Sequence, residues 1–268
     1  AVSRIKDGQS PDSILLLTYG RDRASELRDA IVIASNESAH EPLARTFHSL
    51  AYSILKMRTA DQYRDLVLMS GSEQETLIAD LLEGDIASGY RSWHKDLRKG
   101  PESLGEPLAT QGFVRELRDL IMRANERGIT PTDLSLRGHQ LGEKYWEGAA
   151  DFWNRYLEGL VLQESLAGDA KMRIDPSEII NLAKRYLTKN PELLAELRAR
   201  FTTIIVDEFQ ESDPAQRTLL SLLAGPDLVI VADSASAVGR FRGADPEGVA
   251  DVIGSYLSAG ATKIELTT

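Results

Sequence analysis

Residues 201–216 constrain this chain more than any other stretch: Phe-Thr-Thr-Ile-Ile-Val-Asp-Glu-Phe-Gln-Glu-Ser-Asp-Pro-Ala-Gln. The β-branched apolar run Ile204-Ile205-Val206 ends abruptly in two carboxylates, Asp207 and Glu208. A continuous apolar run of this kind predicts a strand buried on both faces, as inside a parallel sheet. Ligands of open α/β sheets bind at the carboxyl ends of the strands, so these acids are expected at a ligand crevice. Asp213-Pro214 then predicts a helix start, with Asp as the cap and Pro at the first helical position. Strand, paired acids, polar turn and capped helix point to phosphate and metal chemistry. On spacing alone, a solvated turn accounts for the two acids about equally well.

Two further runs share the buried-strand character. Ile14-Leu15-Leu16-Leu17-Thr18 predicts a strand broken at Tyr19-Gly20-Arg21 and followed by a helix from Arg23 to Ile33, with Leu27, Ala30 and Ile31 on one face. Leu228 to Asp233 predicts another, again ending in an acid. Strands alternating with helices are the pattern of βαβ units. From about Lys56 to about Asn190, by contrast, no strand is evident and the segments read as amphipathic helices: Glu73 to Glu83, Phe113 to Glu126, and Tyr145 to Leu166. The last carries Trp146, Phe152, Trp153 and Tyr156 at helical spacing, a stripe read as core and not as a base-stacking platform. Pro101 and Pro107 with Gly100 and Gly105 make Arg98 to Gln111 the expected flexible loop. Asp175-Pro176-Ser177-Glu178 and Asn190-Pro191 predict helix starts. Asp245-Pro246-Glu247 predicts a last helix ended by Gly260, with Lys263 to Leu266 as an edge strand. The expected fold is therefore α/β: a parallel sheet built from residues 1–56 and 191–268, interrupted by an all-helical insert of residues 57–190.

Composition excludes more than it assigns. There are no cysteines, so disulfides, thiolate metal sites and cysteine nucleophiles are absent, which fits a reducing cytoplasm. The four histidines, His40, His48, His94 and His139, form no close ligand pair and predict no zinc site. No apolar run approaches a membrane-spanning length, so no membrane partner is expected. With 41 acidic against 31 basic residues the net charge is −10, which does not advertise nucleic-acid binding, although a basic groove fits on an acidic protein. Thr46, His48 and Ser49 open the helical stretch that follows Ala44-Arg45, where free backbone N–H groups can hold a phosphate. An ordinary capped helix explains the same residues.

Taken in order, these segments resemble the motifs of UvrD/Rep-type superfamily 1 DNA helicases, whose motor is a RecA-like, P-loop NTPase-like fold. Leu17-Thr18-Tyr19 with Ala24 and Glu26-Leu27 resembles motif Ia, and Thr46-Phe47-His48-Ser49-Leu50-Ala51 resembles motif Ib. Val206-Asp207-Glu208-Phe209-Gln210 with Asp213 and Gln216 is similar to motif II, and Asp233 with Phe241-Arg242-Gly243-Ala244 resembles the ends of motif III. The wording of residues 211–216 and 241–245 further resembles an actinobacterial AdnAB-like helicase–nuclease subunit.

The resemblance implies an ATP- and Mg²⁺-dependent helicase or translocase of 3′-to-5′ type, acting in DNA repair or recombination. It assigns Asp207 to Mg²⁺, Glu208 to activation of the attacking water, and Gln210 to a link between nucleotide and DNA. Thr18, Tyr19, Thr46, His48 and Ser49 fall to the single-stranded tracking strand, and Arg242 to the nucleotide or interdomain surface. A second helicase–nuclease subunit is an implied partner. The phosphate-binding loop Gly-x-x-x-x-Gly-Lys-Ser/Thr has no counterpart, since the chain contains no Gly-Lys dipeptide. In the family that loop precedes motif Ia and a second motor domain follows motif III. The chain is therefore expected to be a fragment with negligible turnover of its own.

Motif III departs from pattern. Ser236 stands where a Gln is usual and Gly239 where an aromatic is usual. The loss of base stacking, roughly 1–3 kcal/mol per base, favours a second reading: a non-motor subunit that binds DNA or a partner on a degenerate ATPase fold. A two-carboxylate nuclease built on Asp207 and Glu208 lacks the further acids and lysine that such metal chemistry needs.

Overall fold

The computed structural model describes residues 1–35, 43–57, 65–89, 92–93, 107–166, 171–233, 236–237 and 244–265. They divide into two compact units, residues 1–55 with 182–268, and residues 56–181.

The first unit opens with α1 (Val2–Lys6), β1 (Ile14–Thr18), α2 (Arg21–Ser35), β2 (Ala44–Thr46) and α3 (Phe47–Lys56). The second unit contains β3 (Asp65–Leu68), α4 (Gly71–Ala87), α5 (Gln111–Glu126), α6 (Pro131–Leu141), α7 (Lys144–Leu166) and β4 (Lys171–Ile174). A helix, α8 (Ile179–Lys189), spans the division at 181/182. The first unit resumes with α9 (Pro191–Arg200), β5 (Thr203–Val206), α10 (Pro214–Leu223), β6 (Leu228–Ile230) and α11 (Pro246–Ser258).

The sheet of the first unit has the order β2-β1-β5-β6, and every pair is parallel. Its register places Leu16 opposite Ile205 and Leu17 opposite Val206, so the carboxyl ends of β1 and β5 lie side by side. All five residues of β1 are buried, which is why the strand reads as an unbroken apolar run. Parallel strands need crossovers, and those from β1 to β2 and from β5 to β6 are short helical ones. The β1–β5 pairing instead joins residues on either side of the second unit, which leaves the sheet by α3 and returns by α8 and α9.

The second unit is built as its amphipathic patterns predict, with one correction. Leu77, Ile78, Leu82, Val114, Leu117, Ile121, Phe152, Trp153 and Tyr156 form a single buried cluster, so three aromatics of the α7 stripe are core, whereas Trp146 in its first turn is exposed. Residues 56–181 are not all helical, however. β3 and β4 pair in parallel, Val67 opposite Arg173 and Leu68 opposite Ile174. Each is four residues long, and the partners lie about a hundred positions apart in sequence. The pairing satisfies backbone groups over a long distance and leaves no local periodicity to read.

Three smaller expectations also change. Asp175 caps no helix: its carboxylate accepts from the backbone N–H and hydroxyl of Ser177 in a local turn, and α8 starts at Ile179. β6 ends at Ile230, short of Asp233. Lys263 to Glu265 form no strand. The loop expected from Arg98 to Gln111 lies outside the described residues up to 106; its end is a short 3₁₀ turn, Pro107–Ala109, and the cap Thr110.

Candidate nucleotide site at the carboxyl edge of the sheet

Beyond Val206 the chain leaves the sheet in a tight reversal. Asp207 continues the ladder for one bond, its N–H donating to the Leu17 carbonyl at 2.9 Å. Glu208 then adopts φ 54°, ψ 40°, the left-handed region, and is the sole non-glycine residue with positive φ among those described. That conformation costs a non-glycine residue roughly 1–2 kcal/mol, and such strain persists where the surroundings over-determine it. Here the determinant is Phe209. It is fully buried, and its N–H donates to the Val231 carbonyl at 2.9 Å, so the chain must turn sharply to place it. Glu208 is thereby held half-buried beside the end of β1, where the Thr18 hydroxyl donates to its Oε2 over a long 3.4 Å.

Gln210 sits in the short 3₁₀ turn Phe209–Glu211 and is buried. Its side-chain oxygen accepts from the Asp233 N–H at 3.0 Å, and its amide nitrogen donates to the Ser236 hydroxyl at 3.2 Å. Ser236 in turn donates to the Asp233 carbonyl. One amide therefore ties the turn after β5 to the segment after β6. The following helix, α10, begins in a full capping box between Asp213 and Gln216. Arg217 of α10 holds the Asp245 carboxylate at 2.7 Å and the Ser212 carbonyl at 3.0 Å, anchoring the start of α11 against the same turn.

One cation enters this acidic edge. The Nε and Nη2 of Arg23, in the first turn of α2, each lie 3.1 Å from Oδ2 of Asp207. Hydrogen bonding to Asp207, and attraction to it, push the Arg23 pKa further up.

With that geometry in place, the comparison with known proteins is decisive: residues 2–256 match the UvrD/REP helicase N-terminal domain. The chain belongs to the UvrD/REP helicase family. It is similar to DNA helicase II of Salmonella typhimurium, 24% identical over 263 residues covering 97% of this chain and 32% of the relative. It is also similar to DNA helicase II of Escherichia coli, 24% identical over 96% of this chain and 32% of the relative. The ATP-dependent DNA helicase PcrA of Staphylococcus aureus is 26% identical, with 96% of this chain and 31% of the relative covered. The chain thus spans about a third of the length of these relatives.

Within this UvrD/REP domain, Thr18, Asp207, Glu208 and Gln210 all lie at the carboxyl edge of the sheet, at the end of β1 and in the turn after β5. Thr18 is fully buried with its hydroxyl turned to Glu208, so its side chain belongs to the acidic edge. The Tyr19 ring packs on Phe47 with centroids 5.3 Å apart, and burial pushes its phenol well above the usual range, keeping it neutral. Thr46 caps α3, accepting from the Ser49 N–H at 3.1 Å. That leaves His48 and Ser49 exposed on the first turn of α3. Arg242 and Gly239 lie outside the described residues.

The donor set fits a hard divalent cation. Two carboxylates and a hydroxyl supply oxygen ligands only, and among the described residues no group of three His, Cys, Asp or Glu forms an all-protein cage. Mg²⁺ is typically held in this way, by one or two carboxylates together with substrate phosphates. Sequence reasoning missed Arg23. A cation in the first turn of a helix opposes the helix dipole, but Arg21 stands in the same turn, so the sequence does not single out Arg23. Among the described residues no helix is long and apolar enough to cross a membrane.

Proposed function

We propose that the carboxyl edge of β1 and β5 is the Mg²⁺-binding and water-activating part of an ATP-hydrolysing site, in a DNA helicase or translocase of repair or recombination. The observation that carries this reading is the strained placement of Glu208, next to Asp207 and beside the end of β1, in a chain of the UvrD/REP family. The names of the relatives, DNA helicase II and an ATP-dependent DNA helicase, agree with it. Asp207 would hold Mg²⁺, which when bound neutralises the terminal phosphates of ATP. Glu208 takes the proton of the attacking water, and Thr18 steadies its carboxylate. Gln210 reports on the site through its amide, because any shift of the turn after β5 pulls on Asp233 and Ser236. Single-stranded DNA would pass His48 and Ser49, on the exposed first turn of α3. The 3′-to-5′ direction and the role of Arg242 follow from family resemblance alone. Neither fold nor relatives give a place to a second helicase–nuclease subunit.

A second reading keeps DNA binding and drops the motor. Ser236 favours it, because its short hydroxyl is already engaged with Gln210 and Asp233 and does not extend toward a ligand as a Gln would. The two readings part in one experiment on the intact protein. ATP hydrolysis stimulated severalfold or more by single-stranded DNA supports the motor; DNA binding without stimulated hydrolysis supports the non-motor subunit.

A further inference from the structure

The same carboxylate that the proposed function gives to a divalent metal is occupied by an arginine. Two nitrogens of Arg23 converge on one oxygen, Oδ2 of Asp207, at 3.1 Å. The Asp207 side chain is 18% exposed and that of Arg23 45%, so the guanidinium closes the carboxylate from the solvent side and remains free to swing. A second acceptor lies one turn along α2: Nη1 of Arg23 is 3.5 Å from Oε2 of Glu26, which is well exposed. The arginine therefore bridges two carboxylates, one at the site and one on its own helix. Its position at the N-terminal turn of α2 is unfavourable for a cation and is relieved by the anion it finds across the sheet edge.

We propose that Arg23 is a resident counter-ion of the Asp207 site, competing with the divalent cation and moving toward Glu26 when the metal enters. The inference rests on the reading of Asp207 as a metal ligand. Two nitrogens of the guanidinium already crowd Oδ2, and a divalent ion on the same carboxylate would lie close enough to be repelled by the guanidinium charge. While the arginine is in place, the acidic edge is charge-compensated without metal. Entry of the metal breaks the Nε hydrogen bond and the Nη2 ion-pair contact, and leaves the guanidinium to Glu26.

The test is Mn²⁺ binding to the chain, followed by the loss of the free-ion signal in electron paramagnetic resonance, for the unaltered protein, Arg23→Ala, Asp207→Asn and the double variant. Removing a partly exposed ion pair and a nearby positive charge is expected to tighten Mn²⁺ binding about tenfold in Arg23→Ala. Adding Asp207→Asn should erase that gain. Unchanged affinity in Arg23→Ala, with weaker binding in Asp207→Asn, overturns the competition and leaves Asp207 a metal ligand. Binding indifferent to Asp207→Asn in both backgrounds removes the metal reading itself, and the competition with it. Glu26→Ala supplies a direction: with the retreat removed, Mn²⁺ binding should weaken twofold or more, and unchanged binding overturns the proposed movement.

Discussion

The two units of this chain put their polar groups to opposite uses. Among the described residues of the helical unit, buried polar groups serve packing: the Tyr156 hydroxyl donates to Asp175 at 2.9 Å, and Arg155 holds the fully buried Asp85 at 2.5 Å. At the carboxyl edge of the sheet unit, polar groups are held loosely or under strain, with a strained backbone at Glu208, a long 3.4 Å contact from Thr18 and an arginine standing on an acid. A site that must exchange ligands is built from replaceable contacts; a core that only holds its shape is not. In this fold, contacts looser than their surroundings need mark the place to look for chemistry.

If the helical unit is held by packing, the largest loss should come from its centre. Trp153 is 1% exposed among Ile78, Phe152 and their neighbours. Trp153→Ala should cost about 3–5 kcal/mol in denaturant unfolding, and a loss under about 1 kcal/mol would mean that the aromatic stripe is not the core. Next is Asp85→Ala, which strands the Arg155 guanidinium. Breaking a buried pair from one side costs about 3 kcal/mol, and a neutral result would show that water reaches the pair.

In the sheet unit the effects are smaller and lie in capping. A β-carbon on Gly248 would come within 2.1 Å of the Asp245 carboxylate that caps α11 and binds Arg217. Gly248→Ala should therefore cost about 1–2 kcal/mol through loss of the cap, and Asp245→Ala combined with it should add little. Smallest, and of opposite sign, is Glu208→Gly. It relieves a positive φ at the expense of a more flexible unfolded chain, and should stabilise by up to about 1 kcal/mol. A clear destabilisation would show that the Glu208 side chain supports the fold and is not there at the fold's expense.

How much was legible in the sequence follows the same division. The strands of the sheet are buried on both faces, so Ile14 to Leu17 and Ile204 to Val206 announced themselves as apolar runs, and Asp213-Pro214 announced α10. The core of the helical unit was legible from the spacing of Phe152, Trp153 and Tyr156. The pairing of β3 with β4 was not, because Asp65 to Leu68 and Lys171 to Ile174 take their meaning from each other across the whole helical unit. At the site, the acids could be read from where the strand stops. That Thr18 is buried and faces Glu208, that Gln210 spans to Asp233 and Ser236, and that Arg23 reaches Asp207 are facts of register and helix placement. None of them leaves a mark on residue spacing.

The strained acid after β5 is proposed to activate water for ATP hydrolysis. The most direct test is steady-state ATP hydrolysis by the intact protein with and without Glu208→Gln, alongside nucleotide binding measured on both. Removing a positioned general base is worth typically 10²–10⁴-fold, so turnover is predicted to fall about a hundredfold or more while nucleotide affinity holds within a few-fold. Turnover that survives the substitution would contradict the account.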